Sequence, residues 1–108
     1  MPYLDFNASN SLTVAPGVVL RPLWGEKIML VRVELDAGSE VPMHSHPHEQ
    51  AGIVVEGEFD LIIGEETKRL KKGDPYLIPG DIRHGVITGN NPAVALDIFN
   101  PPREDYMK

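Results

Sequence analysis

The stretch that decides the architecture runs from Gly38 to Gly57 and reads GSEVPMHSHPHEQAGIVVEG. Glycine breaks the chain at each end, and Ala51–Val55 within it has the length and the valine-isoleucine content of a strand. On an extended backbone alternate side chains share a face, so the imidazoles of His44 and His46 project together. Gln50 keeps the same parity, although Pro47 interrupts the strand before it.

The same punctuation continues outward in both directions. Ten glycines and ten prolines divide 108 residues, with breaks at Pro16-Gly17, Gly25, Gly64-Glu65, Lys72-Gly73-Asp74, Pro79-Gly80-Asp81, Gly89-Asn90-Asn91-Pro92 and Pro101-Pro102. Strand-length runs lie between them: Lys27–Leu35 (KIMLVRVEL), Glu58–Ile63, Tyr76–Ile78, Gly85–Thr88 and Ala93–Phe99. No window keeps helical periodicity for the roughly 11 residues that would argue a helix. The expectation is a single all-β domain over residues 1–108, of the sandwich or barrel kind. Residues 27–99 form its barrel and residues 100–108 a C-terminal tail. The first 25 residues are more weakly patterned and are expected to be a peripheral or exchanged strand segment.

Composition narrows the function classes. Hydrophobic residues make up 42% and charged residues 24%, which suits a globular core and argues against disorder. There is no cysteine, so a metal would be held by nitrogen and oxygen. The net charge of −6 argues against nucleic acid, whose phosphates call for a basic face. The basic cluster Lys68-Arg69 and Lys71-Lys72 straddles Leu70 and reads as a solvated strand face. MPYLDFNASN lacks a basic region followed by an apolar one, and no apolar run approaches the ~18 residues of a membrane span. A cytoplasmic protein with no membrane association is expected.

Two groups of residues carry chemistry. In Ala93–Phe99, Val94, Leu96 and Ile98 point one way and Ala93, Ala95, Asp97 and Phe99 the other. Two alanines, a carboxylate and a ring suit the wall of a cavity better than a close-packed core. The four histidines fall at His44, His46, His48 and His84, the last just after the Pro79-Gly80-Asp81 turn. Three neutral imidazoles with an amide oxygen make a competent site for a divalent first-row ion. The plainer alternative is that these are surface histidines.

Gly38-x5-His44-x-His46-x3-Gln50-x6-Gly57 resembles the first cupin motif, with Gln50 where that family usually has glutamate. Gly73-x5-Pro79-x4-His84 resembles the second, departing at Asp81, usually glycine, and at Thr88, usually asparagine. The resemblance covers about residues 27–99 and implies a small antiparallel β-barrel or jelly roll. A narrower one lies in HSHPHEQ (44–50) and LDIFNPPREDY (96–106), which resemble the KdgF-type pectin-degradation cupins. Those proteins convert 4,5-unsaturated monouronates, released by lyases from pectin or alginate, into linear 5-keto-4-deoxyuronates. The resemblance implies one divalent ion (zinc, nickel, manganese or iron fit alike) on His44, His46, Gln50 and His84. It implies Asp97 and Arg103 in catalysis, and Phe99 and Arg103 against the substrate.

With Gln50 in place of a carboxylate the ion would keep its full charge, which favours Lewis acidity over oxygen activation. Asp97 is the candidate for proton transfer; otherwise it is a solvated or capping aspartate. Arg103 could clamp a carboxylate, or pair with Glu104 or Asp105. Phe99 could stack on a sugar or fill the core. His48 and Glu49 carry no assigned role. Rival functions are an oxygenase or isomerase of another small organic acid, and a non-catalytic sugar-binding cupin. A homodimer is expected, because Val94, Leu96, Ile98 and KIMLVRVEL offer more apolar surface than one small barrel buries. Trp24 and the N-terminal segment are its candidate contributors.

Overall fold

The computed structural model describes residues 3–108. Ten strands follow a short 3-10 turn at Phe6–Ala8: β1 (Leu12–Ala15), β2 (Val18–Trp24), β3 (Met29–Leu35), β4 (Glu40–His44) and β5 (Glu49–Glu56), then β6 (Glu58–Ile63), β7 (Glu66–Lys71), β8 (Pro75–Ile78), β9 (His84–Thr88) and β10 (Ala93–Asn100). A second 3-10 turn, Glu104–Tyr106, lies in the tail. Among the described residues no helix is long and apolar enough to cross a membrane.

All pairings are antiparallel and fall into two sheets, one ordered β1-β2-β3-β10-β5-β8 and the other β4-β9-β6-β7. From β3 onward the chain passes repeatedly from one sheet to the other, as a jelly roll does. The two ladders face each other without closing into one continuous barrel.

Strict alternation drives this packing. In β2, β3 and β10 every second side chain is buried, with half-buried neighbours between. Met29, Val31, Phe59, Ile78 and Val54 are almost wholly excluded from water between the sheets. Lys68, Arg69 and Lys71 lie exposed on β7, where Arg69 pairs with Glu58 and Asp60 and only Leu70 turns inward.

The N-terminal segment meets the expectation of a peripheral strand only in part. Its first two residues lie outside the described ones, and β1 is the edge strand of the larger sheet, but β2 is interior to that sheet and pairs with β3 along its full length. Val18 and Leu20 from β2 are buried in the core. The region was weakly patterned because Arg21 and Pro22 break its apolar run while alternation still holds.

Candidate metal centre and its cavity

The histidines converge because β4 and β9 pair with His44 directly opposite His84. Their ring centroids are 4.3 Å apart. His46 lies past the end of β4, in a loop fastened to the turn before β9. The Asp81 backbone N–H donates to the His46 carbonyl at 2.7 Å. Gly80 makes the approach possible, since a Cβ there would come within 2.5 Å of the Pro47 carbonyl oxygen. Asp81 adopts a left-handed backbone with φ of 69°, a conformation aspartate tolerates better than most residues, which explains how it replaces the usual glycine. Thr88 replaces asparagine by accepting from the Ser39 N–H at 2.7 Å and pinning the turn before β4.

The imidazoles are oriented as ligands. Nδ1 of His44 lies 2.8 Å from the Pro42 carbonyl, that of His46 3.1 Å from His48's, and that of His84 2.8 Å from Ile82's. A carbonyl only accepts, so each Nδ1 carries the proton and each Nε2 presents a lone pair. One ligand atom from each of the three rings lies within 4.8 Å of the others. His84 Nε2 is buried without a hydrogen-bond partner. His46 Nε2 faces Gln50 Oε1 at 3.1 Å, acceptor against acceptor. The amide is turned that way because its Nε2 donates to Asp97 Oδ2 at 3.1 Å. Buried acceptors without donors are rare. A divalent cation shared by the three Nε2 atoms and Oε1 would satisfy all of them, so the donor set fits the group the motif implies.

Electrostatics keep the His46 and His84 rings neutral. Burial, then the positive charge of Arg103, lowers the His46 pKa to about 4. Burial also lowers His84, with the His44 and Arg103 charges adding to it. Asp97 is buried, and burial pushes its carboxyl up to about 6 against the pull of Tyr76, Gln50 and Arg103. The Tyr76 hydroxyl donates to Asp97 Oδ1.

A cavity of about 60 Å³ adjoins the histidines, with Asp97, Phe99, Arg103 and Tyr106 in its walls. Phe99 is buried, edge-on to both His46 and Tyr106, so it belongs to the core as well as to the cavity. Arg103 forms the ion pair with Asp105, Nη2 to Oδ2 at 2.8 Å. Its guanidinium lies 4.0 Å over the Tyr106 ring and 5.3 Å from Phe99. The salt bridge and the Tyr106 ring hold the guanidinium beside the cavity. His48 is half-buried outside the trio of rings, and Glu49 is exposed. Sequence reading missed Tyr76, because only the fold brings it to Asp97, whereas Asp105 was one of the two partners it offered for Arg103.

The family profile of the cupin domain matches residues 31–99. The chain is 33% identical over 85 residues to a pectin degradation protein, KdgF, of Dickeya dadantii (strain 3937), covering 78% of this chain and 77% of that one. Its fold superposes on KdgF from a Halomonas species with a TM-score of 0.87 at 28% identity, over 97% of both chains. An RmlC-like cupin from Shewanella frigidimarina NCIMB 400 gives the same TM-score of 0.87 at 28% identity, over 96% of this chain and 94% of that one. With these matches beside the paired histidine motifs, the chain belongs to the cupin family and is KdgF-like in both sequence and structure.

Proposed function

We propose that the protein is an isomerase of 4,5-unsaturated monouronates, opening the ring to linear 5-keto-4-deoxyuronates at a divalent ion held by His44, His46, Gln50 and His84. One observation supports it above all: three imidazole lone pairs and an amide oxygen converge beside a cavity that also holds a buried carboxylate, Asp97, and a fixed guanidinium, Arg103. With a doubly charged ion and Arg103 against the carboxylates of Asp97 and Asp105, the site stays net positive and suits an anionic sugar acid.

A bound divalent ion would supply Lewis acidity, stabilising negative charge on an oxygen it faces. The chain's own groups do the rest. Arg103 pairs with the substrate carboxylate, and Phe99 closes the apolar side of the ring. Asp97 takes the proton of the anomeric hydroxyl as the bond from C1 to the ring oxygen breaks, leaving an aldehyde at C1. The electron pair moves to the ring oxygen, and the proton returns at C4 as C5 becomes a ketone. No atom is gained or lost, so no co-reactant is required. Such a site needs only proton exchange in a water-poor setting, which the burial of Asp97 supports.

The test is incubation with a lyase-generated unsaturated monouronate while the conjugated ultraviolet absorbance is followed, with metal content measured in parallel. Loss of absorbance that stops on chelation and returns with zinc, nickel or manganese is the expected result. Metal and sugar binding without turnover would replace this reading by a binding protein, and dioxygen consumption by an oxygenase. We further propose that the chain acts as a cytoplasmic homodimer, joined through the outer face of its larger sheet.

A further inference from the structure

Asp97 on β10 lies opposite Gly52 on β5, and Gly52 lies opposite Tyr76 on β8. The three positions form one row across three strands. Neighbouring strands stand about 4.8 Å apart, so Tyr76 and Asp97 are too distant to touch unless one side chain crosses the strand between them. The tyrosine does so. A Cβ built on Gly52 would come within 2.3–2.5 Å of the tyrosine's Cζ, hydroxyl oxygen and Cε2. Glycine in a strand interior costs packing and backbone entropy, and close passage of another group is a reason to keep it. Phe59 holds the ring from the core side, edge-on at 6.3 Å.

The hydroxyl ends on Asp97 Oδ1, and the other carboxylate oxygen accepts from Gln50 Nε2. An aspartate held at one oxygen only could rotate away from the amide. Held at both, it fixes which end of the Gln50 amide faces the histidines. Burial and the Asp97 charge raise the Tyr76 pKa far above neutrality, so the phenol remains a donor.

We propose that Tyr76 is a positioning residue: laid across Gly52, its hydroxyl clamps Asp97 and thereby fixes the Gln50 amide with its oxygen toward His44, His46 and His84. The consequence for metal affinity rests on the metal centre proposed above, whereas the orientation of the amide does not. Outer groups that orient ligands typically change metal affinity about 10–100-fold when removed.

The experiment has two arms on the full-length chain. In metal-free protein the Gln50 side-chain amide protons are followed by nitrogen-resolved NMR in wild type, Tyr76→Phe and Gly52→Ala. Slow exchange with water in wild type and fast exchange in both variants is expected. Gly52→Ala matters because it keeps the hydroxyl but displaces the ring, and backbone spectra report whether either variant stays folded. In the second arm zinc affinity is measured by competition with a chelator, and Tyr76→Phe should bind at least about 10-fold more weakly. A purely structural tyrosine would lower the melting temperature and leave the Gln50 signals and zinc affinity unchanged, and that result overturns the proposal. If wild type takes up no zinc but its Gln50 protons are slowed by Tyr76, the metal reading fails and the clamp stands.

Discussion

Asp97 accepts hydrogen bonds at both oxygens while buried at the cavity wall. Asparagine at this position can accept at only one atom and cannot exchange a proton near neutral pH. Proton transfer by a positioned group contributes about 10²–10⁴ in rate, so Asp97→Asn should lose at least about 100-fold in kcat under saturating metal. Steady-state rates of turnover, with metal content assayed on the same samples, check this; a wild-type rate in a metallated variant would remove Asp97 from the chemistry. Arg103→Ala should instead raise KM by the equivalent of about 2–3 kcal/mol, the worth of a charge-assisted hydrogen bond to the substrate. A fall in kcat alone would show that Arg103 acts on the transition state and not on binding. The ligand candidates were legible in the sequence because the histidine spacing and the glycine and proline turns mark the motif and bring His84 back, although His46 lies in the loop past β4 and not on a shared strand face. Tyr76 was not legible, since its relation to Asp97 is a register between β8, β5 and β10 that no local pattern encodes. The Arg103–Asp105 pair was one of two partners left open by the sequence, and it is the one formed.

At the level of the elements, alternation made β3, β6 and β10 readable almost to their ends. Pro22 weakened the pattern of β2, while β7 was readable as a solvated strand face, where Leu70 alone is buried. The neglected β2 is testable as a core element. Leu20 is 5% exposed, so Leu20→Ala should cost about 2–5 kcal/mol in urea unfolding. A peripheral strand would lose no more than about 0.5 kcal/mol. The tail makes a second prediction, through pH. Partial burial pushes the Asp105 carboxyl up, but hydrogen bonding and charge attraction from Arg103 outweigh it and hold the pKa below its usual value. A depressed folded-state pKa adds stability that is complete above the unfolded value of about 3.9 and disappears as pH falls through the folded one. Asp105→Asn should therefore unfold at lower urea than wild type at pH 7, and the gap should close in acid, below about pH 4. A gap of constant size from pH 7 to pH 3 would mean that the charge on Asp105 contributes nothing.

The whole molecule is compact, with a radius of gyration of 13.1 Å against about 13 Å expected for its length. Yet its accessible surface is 6592 Å², whereas a monomer of 11.9 kDa is expected to show about 5,900 Å². Much of the uncovered apolar surface lies on the outer face of the larger sheet. Leu30, Ile98, Ala51 and Leu77 form one cross-strand row there, and Leu96 and Ile53 stand beside it. Leu77 is 58% exposed and Ile53 39%, and Leu23 of the neighbouring β2 stands opposite Leu30 on the same face. Two chains of charge −6 repel at long range, but at physiological salt that repulsion is screened within about 8 Å while apolar burial is not. Self-association through this face should therefore hold or tighten as salt is raised, unlike an interface built on ion pairs. Light scattering at micromolar concentration should report twice the 11.9 kDa chain mass, and Ile53→Glu, which places a charge at an already exposed position inside the patch, should return it to one chain with the fold intact. A wild-type protein that scatters as a single chain across this concentration range would leave the outer face of the sheet without a second copy to cover it.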